Sequence, residues 1–327
     1  MFRLWFERPL PAEYAHLLDG AAVAIGAAQG PREKALDSLP QAQAIIASAR
    51  IRYNGDFMDQ APELKIIART GIGIDNITVP DATQRGIAIC NAPDAPTVST
   101  AEHAITLMLA VGKRLKRSAQ ALRQGALGDI FNNHGGLEMK GLTLAVVGLG
   151  RIGRRVVRVA QALEMNVVGY DPLVAADPQA SQTLGIELAA SLEELLPKAD
   201  IVTLHVPSSA ETRRMIDAKR LAQMKRGAIL INTARGELVD QDALLRALDS
   251  GHLQGAGLDV FDPEPPPPDC PLLHRDDVVA TPHLAGVTVA SRQRLWGAAI
   301  AQALQALRGE RPPHLVNPEV WPLRQRS

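Results

Sequence analysis

Three polar residues sit where apolar runs give way to loops: Arg235 in Asn232-Thr233-Ala234-Arg235-Gly236, Glu264 in Asp262-Pro263-Glu264-Pro265, and His283 in Thr281-Pro282-His283-Leu284-Ala285-Gly286. Loops after strands are where open α/β sheets bind their ligands. The planar, permanently charged fork of Arg235 can clamp a carboxylate and polarise an adjacent carbonyl; it can equally cap a helix at the surface. His283, ahead of a small-residue turn, can project toward a bound nicotinamide or be a satisfied structural histidine. Glu264 stands in a stiff, proline-rich stretch and taken alone reads as a solvated loop carboxylate. Spacing by itself leaves these alternatives open.

A second constellation concerns a cofactor. Leu142 to Val147 has the pattern of a buried strand, and Gly148-Leu149-Gly150-Arg151-Ile152-Gly153 follows it in GxGxxG spacing. The first glycine permits the tight turn, the second lets backbone N–H groups approach a pyrophosphate, and the third lets helix and strand pack closely. The helix N-terminus adds partial positive charge and free donors, with backbone at Arg151 and Ile152 making the contact. Asp171 ends the next strand in Gly169-Tyr170-Asp171-Pro172, near the roughly 20-residue offset of a ribose-binding acid. A carboxylate accepts hydrogen bonds from a ribose 2′-OH and repels a 2′-phosphate, so NAD is favoured over NADP. A glycine-rich turn without a ligand explains the glycines but not the acid.

These residues need a scaffold. In the first third, short apolar runs at Ala21 to Ile25, Ala44 to Ala47, Lys65 to Ala68 and Ile87 to Cys90 alternate with polar or helical segments, which predicts βα repeats on a parallel sheet. Val98 to about Arg123 reads as one long helix with Ala101, Ala104, Ile105, Met108, Leu109, Val111 and Leu115 on a broad apolar face. Residues 125–140 read as a loop or arm. A second series predicts strands at Leu142 to Val147, Val167 to Tyr170, Ile201 to Val206, Ala228 to Asn232, Gly255 to Val260 and Val278 to Ala280, the complement of a dinucleotide-binding sheet. The Pro-rich stretch Pro263 to Pro271 interrupts it. Val289 to Leu307 has helical periodicity and returns the chain to the first lobe. At 327 residues two lobes are the expectation.

Composition narrows the partners. Lys and Arg number 35 against 35 Asp and Glu, a balance that argues against nucleic acid or an anionic membrane as partner. Cys90 and Cys270 are in no metal-ligand spacing, so neither a disulfide framework nor a metal site is expected, and Cys90 reads as core. The N-terminus lacks a signal peptide's apolar core, and no run approaches the ~18 apolar residues that span a bilayer; the expected address is the cytoplasm. His205 and Pro207 end a strand and can line a cofactor groove or simply pack. His103 beside Glu102 can be an interlobe contact. The cluster Lys113-Arg114-Leu115-Lys116-Arg117 reads as a solvated helix end.

Taken in order, these motifs resemble the D-isomer-specific 2-hydroxyacid dehydrogenase family over nearly the whole chain. The resemblance also rests on Arg69-Thr70-Gly71-Ile72-Gly73-Ile74-Asp75-Asn76-Ile77, Asn91-Ala92-Pro93, Ala101-Glu102-His103 and Gly257-Leu258-Asp259-Val260-Phe261. It implies an α/β protein of two Rossmann-like or flavodoxin-like lobes with parallel sheets, the active site lying in the cleft between them. Residues 1–96 with 290–327 would form the substrate lobe and 97–289 the NAD-binding lobe. It further implies that Arg235, Glu264 and His283 are the catalytic trio of an NAD-dependent reaction between a small D-2-hydroxy acid and its 2-keto acid, in a homodimer. His283 would donate or accept the proton, Glu264 would hold the imidazole, and Arg235 would bind the substrate. Thr97, Val206, Pro207, Thr212, Thr233, Ala234, Asp259 and Gly286 are cofactor-side positions by the same resemblance, Asp259 near the carboxamide. Ile72 and Gly73 resemble the loop that receives the carboxylate. Phosphoglycerate-specific members carry an arginine where Ser48 aligns; Arg50 or Arg52 could substitute. The chain ends at Ser327 without their regulatory domain, and residues 125–140 lack the tryptophan often seen there. An NAD(H)-sensing corepressor on the same fold is the alternative. A formate-dehydrogenase-like branch, which pairs Gln with His, fits less well.

Overall fold

Runs of Ile, Val, Ala and Leu build two sheets whose strands are all parallel. The structure, a computed structural model, describes residues 1–321 apart from 19, 28–31, 127, 129–132 and 176–178. The chain forms two compact units, residues 1–96 with 287–327, and residues 97–286.

The first unit holds β1 (Phe2–Phe6), β2 (Ala22–Gly26), β3 (Ala44–Ala47), β4 (Ile66–Arg69) and β5 (Ala88–Cys90) in the order β2-β1-β3-β4-β5. The strand Phe2–Phe6 is absent from the sequence expectation. Its five residues carry Arg3 in second place and lack a clean alternation, and pairing with β2 and β3 on both sides supplies what the local pattern does not. Successive residues feed two separate cores. Trp5, Ile45, Ala47, Ile67 and Ile89 face one, while Leu4, Phe6, Ala44, Ile46, Ile66 and Ala68 face the other. Such two-sided burial is the rule for parallel sheets, and each Leu or Ile fully withdrawn from water contributes about 1.5–3 kcal/mol.

The second unit opens with helix α1 (Thr97–Gly112), followed by α2 (Leu115–Gln124). The single long helix expected from periodicity is thus two. Arg114 adopts a left-handed φ of 51° and breaks the run. Lys116 is not solvated as expected: its ammonium donates to the carbonyls of Arg275 at 2.6 Å and Val278 at 3.0 Å, one just past the short helix Pro271–His274, where carbonyls lack intrahelical partners. The expected loop 125–140 lies partly outside the described residues, and 134–139 carry no regular structure.

The larger sheet comprises β6 (Thr143–Val147), β7 (Asn166–Tyr170), β8 (Glu187–Leu188), β9 (Ile201–Leu204), β10 (Ala228–Asn232), β11 (Leu253–Leu258) and β12 (Val278–Ala280), ordered β12-β11-β10-β9-β6-β7-β8. The two-residue β8 falls below what a sequence pattern can signal. Alternate residues again feed two cores, with Ala145, Val147, Val202 and Leu204 on one face and Leu144, Val146, Ile229 and Ile231 on the other. Strand order reverses between β6 and β9, creating the crevice where such sheets bind ligands. Helix α3 (Arg151–Ala162) follows β6, and α4 (Gln241–Asp249) follows β10. Helix α5 (Val289–Leu307) returns to the first unit and packs on β3 and β4. Among the described residues no helix is long and apolar enough to cross a membrane.

Candidate active site

The glycine turn stands at the reversal point of the larger sheet. Gly148 holds φ at 94°, and a Cβ there would meet the His205 carbonyl oxygen at 2.7 Å, so the turn presses against the end of β9. A Cβ on Gly153 would lie 1.9 Å from the Gly148 oxygen; close approach of helix to turn demands glycine. Gly150 differs. It caps α3 with extended backbone and no side-chain cap, and a Cβ there would meet nothing within 4 Å. Nothing among the described residues requires glycine at 150, whereas an anion at the N-terminus of α3, which has no side-chain cap, would fill that space.

Asp171, just past β7, is anchored beside the turn. Its Oδ2 accepts the Leu149 N–H at 2.9 Å, and Oδ1 accepts Leu173 N–H at 2.9 Å and Val174 N–H at 3.3 Å. A carboxylate with four acceptor sites retains capacity for a ribose hydroxyl. At the neighbouring strand end, His205 is packed, with Nε2 3.0 Å from Thr203 Oγ1, and burial pushes its pKa down to about 4. The following loop is braced by Thr212, whose hydroxyl donates to the Pro207 carbonyl at 2.7 Å and accepts from Ser209 N–H. Val206 is half-buried and Pro207 exposed. Thr233, just past β10, is 6% exposed with a hydroxyl that has no hydrogen-bond partner among the described residues. An uncapped helix end, the space at Gly150 and this orphaned hydroxyl fit a dinucleotide. Thr97 begins α1, buried, and Gly286 closes the unit.

Arg235 owes its position to Asn232, a buried residue to which the sequence reading gives no role. The Asn232 amide donates to the Arg235 carbonyl at 2.8 Å, and its oxygen accepts Ala234 N–H at 3.0 Å, closing the turn after β10. Arg235 Nη1 donates to the Ala234 carbonyl.

His283 and Glu264 come together, which resolves the ambiguity of the proline-rich loop: Nδ1 of His283 lies 2.5 Å from Glu264 Oε1. A carboxylate accepts only, so Nδ1 carries hydrogen and Nε2 is left facing outward. Burial opposes ionisation of Glu264, yet the hydrogen bond and charge of His283, the Phe261 backbone and the Arg235 guanidinium outweigh it and hold its pKa below the ordinary carboxylate value. Asp259 is wholly buried. It accepts the N–H groups of Leu284 and Ala285, both at 2.8 Å, and the Thr281 hydroxyl at 2.5 Å, while its carbonyl accepts His283 N–H. His103 meets this cluster, with Nε2 2.9 Å from Thr281 Oγ1 and 3.5 Å from Asp259 Oδ1, both partners in its own unit.

In the first unit, Ile72 and Gly73 follow β4. Asn91 holds the Ile72 carbonyl at 2.8 Å, and Ala92 N–H holds the Gly71 carbonyl at 2.9 Å. Buried Glu7, a residue sequence reasoning misses, accepts Ser48 N–H, Arg50 N–H and the Tyr53 hydroxyl. Burial and Glu7 push the Tyr53 pKa up. The Arg50 side chain is exposed, and the Ser48 hydroxyl is buried without a partner among the described residues.

Comparison with known proteins adds a family. Residues 105–285 match the family model described as D-isomer specific 2-hydroxyacid dehydrogenase, NAD binding domain. A D-3-phosphoglycerate dehydrogenase of Methanocaldococcus jannaschii is 39% identical over 287 residues, 88% of this chain and 54% of the relative. A glyoxylate reductase of Thermofilum pendens is 39% identical over 295 residues, covering 90% of this chain and 86% of the relative. The chain therefore spans about half the length of the phosphoglycerate dehydrogenases it matches. Among solved structures, D-lactate dehydrogenase from Aquifex aeolicus complexed with NAD and lactic acid superposes with a TM-score of 0.82 at 29% identity, covering 96% of this chain and 98% of that one.

Proposed function

Because this chain belongs to the D-isomer specific 2-hydroxyacid dehydrogenase family, we propose that it interconverts a small D-2-hydroxy acid and its 2-oxo acid with NAD. The observation that carries this reading is the contact of His283 with Glu264, which fixes Nδ1 and leaves Nε2 to exchange a proton with substrate oxygen. Bound NAD supplies the hydride acceptor, and NADH the hydride. Gly150, Arg151 and Ile152 backbone, Asp171 and the Thr233 hydroxyl would hold the dinucleotide, beside the loop braced by Thr212.

During reduction the imidazolium of His283 gives its Nε2 proton to the carbonyl oxygen, and in oxidation neutral Nε2 takes the proton from the hydroxyl. Glu264 stays ionised throughout, because its pKa is held down, and so keeps accepting the Nδ1 hydrogen of the ring. Arg235, beside Glu264, pairs with the substrate carboxylate and polarises the carbonyl. Short, unphosphorylated substrates such as glyoxylate or hydroxypyruvate suit the chain: Ser48 stands where phosphate-selective members place arginine, and its hydroxyl is buried. The proteins named above are two dehydrogenases and a reductase, so the binding-protein alternative gains nothing from them.

The protein acts in the cytoplasm as a homodimer. The exposure of Leu115 and Leu122, 55% and 66%, on a helix with no buried residue supports a partner subunit there. A screen of 2-oxo acids following NADH absorbance tests the whole reading: turnover of a short member is expected, and NADH binding with no turnover across the panel overturns it.

A further inference from the structure

We propose that His103 is a positioning residue for His283, acting through Thr281 and Asp259. The inference rests on the reaction proposed above and concerns a side chain to which that reaction assigns no part.

The argument begins with proton counting. Thr281 Oγ1 lies 2.5 Å from Asp259 Oδ1 and 2.9 Å from His103 Nε2. A hydroxyl has one hydrogen, and an ionised carboxylate can only accept. The Thr281 hydrogen therefore goes to Asp259, so His103 Nε2 must carry a hydrogen and donate to the Thr281 oxygen. That assignment follows from the hydrogen-bond network. Without His103 the Thr281 oxygen loses its donor and Asp259 Oδ1 loses an imidazole nitrogen 3.5 Å away, so the pair that holds the His283 turn is less tightly fixed.

Asp259 is where the consequence reaches the reacting ring. It is 0% exposed, and its carboxylate grips the turn on the far side of His283 through Leu284 and Ala285 N–H, while its carbonyl accepts His283 N–H at 2.8 Å. His283 sits at φ 55°, a left-handed conformation that a non-glycine side chain holds only when its surroundings impose it. The same turn aims Nδ1 at Glu264. His103 in turn is borne on α1, where Ala101 and Ala104 are buried and the helix packs on β11 and β12, so the donor is delivered from a rigid element.

Three variants test this: His103→Leu, which removes the donor; His103→Gln, whose amide nitrogen falls near the place of Nε2; and Thr281→Val, which breaks the middle link. In steady-state reduction of the 2-oxo acid identified by the screen, His103→Leu is expected to lower kcat roughly 10- to 100-fold, the scale of a sub-ångström misplacement. KM and the NADH Kd should stay within about threefold, and His103→Gln should recover most of the loss. Independently of turnover, ring spectra of 15N-histidine-labelled protein without ligand should show the His283 resonances displaced in His103→Leu and Thr281→Val and restored in His103→Gln. Unchanged His283 resonances in a folded His103→Leu protein, or equal impairment by Leu and Gln, overturn the proposal. Absence of turnover in the wild type overturns the reaction alone, since the spectra still decide the positioning role. If His103→Leu does not fold, Thr281→Val against wild type gives the same decision.

Discussion

Glu264 Oε1 and His283 Nδ1 lie 2.5 Å apart although 19 positions separate them in the chain. The pair joins the proline-rich loop after β11 to the turn after β12. The carboxylate fixes which ring nitrogen is spent internally and which remains for chemistry, and the Asp259 cluster fixes the backbone from which the ring projects.

Removing either partner should therefore stop turnover without unfolding the protein, since both side chains are substantially exposed, 45% for His283 and 38% for Glu264. His283→Ala should reduce kcat by roughly 10²- to 10⁴-fold, the span of general acid–base catalysis. Glu264→Gln keeps the shape but loses the charge and should cost on the order of 10²-fold. The contact also has a pH signature. The Glu264 pKa is lowered from 4.5, so the stabilisation is fully present above 4.5 and disappears only as pH falls through the lower, folded-state value. Stopped-flow reduction assays from pH 4 to 8 check this, and a wild-type Glu264 titrating above 4.5 would contradict it.

Two glycines of one turn should separate folding from cofactor binding. A Cβ at 153 would collide with the Gly148 oxygen at 1.9 Å, whereas one at 150 meets nothing within 4 Å. Gly153→Ala should lose about 1–3 kcal/mol or more of stability, as overpacking does. Gly150→Ala should leave the melting temperature alone, within about 0.5 kcal/mol, and weaken NADH by roughly tenfold. Thermal melts with and without NADH measure both; equal loss of stability in the two variants contradicts the division of roles.

Legibility in the sequence followed locality. Buried strands flanking the glycine turn announce themselves because two-sided burial writes continuous apolar runs, as in Leu144 to Val147. Phe2–Phe6 and Glu187–Leu188 do not, one interrupted by Arg3 and the other two residues long. Periodicity merged α1 with α2, since a backbone reversal at Arg114 leaves the apolar spacing intact. Glu264 was opaque by itself because its partner is distant in sequence. Asn232, Glu7 and the link from His103 to Thr281 were invisible for the same reason: each is a buried or half-buried polar group defined by what it meets in three dimensions.

Asp171 should set cofactor preference through charge. The carboxylate that accepts Leu149 N–H beside the turn is suited to a ribose hydroxyl and repels a phosphate at the same place. Asp171→Ser removes the charge while keeping a hydrogen-bonding oxygen, so the ratio of kcat/KM with NADH to that with NADPH should fall by about tenfold or more. An unchanged ratio would remove Asp171 from cofactor selection.

His205 should make the protein sensitive to mild acid. Burial lowers its pKa from 6.5 to about 4, so the folded ring stays neutral while the unfolded chain takes up a proton on the way down from 6.5. A depressed folded-state pKa means that the unfolded state binds more protons in that window, so stability is complete above about 6.5 and declines toward 4. At about 1.4 kcal/mol per unit the loss has an upper bound of roughly 3.5 kcal/mol, less what its partial exposure to solvent screens. His205→Gln cannot titrate and should flatten the urea midpoint between pH 6.5 and 4.5 relative to the wild type. Parallel pH dependence in the two proteins would assign the acid sensitivity to other groups.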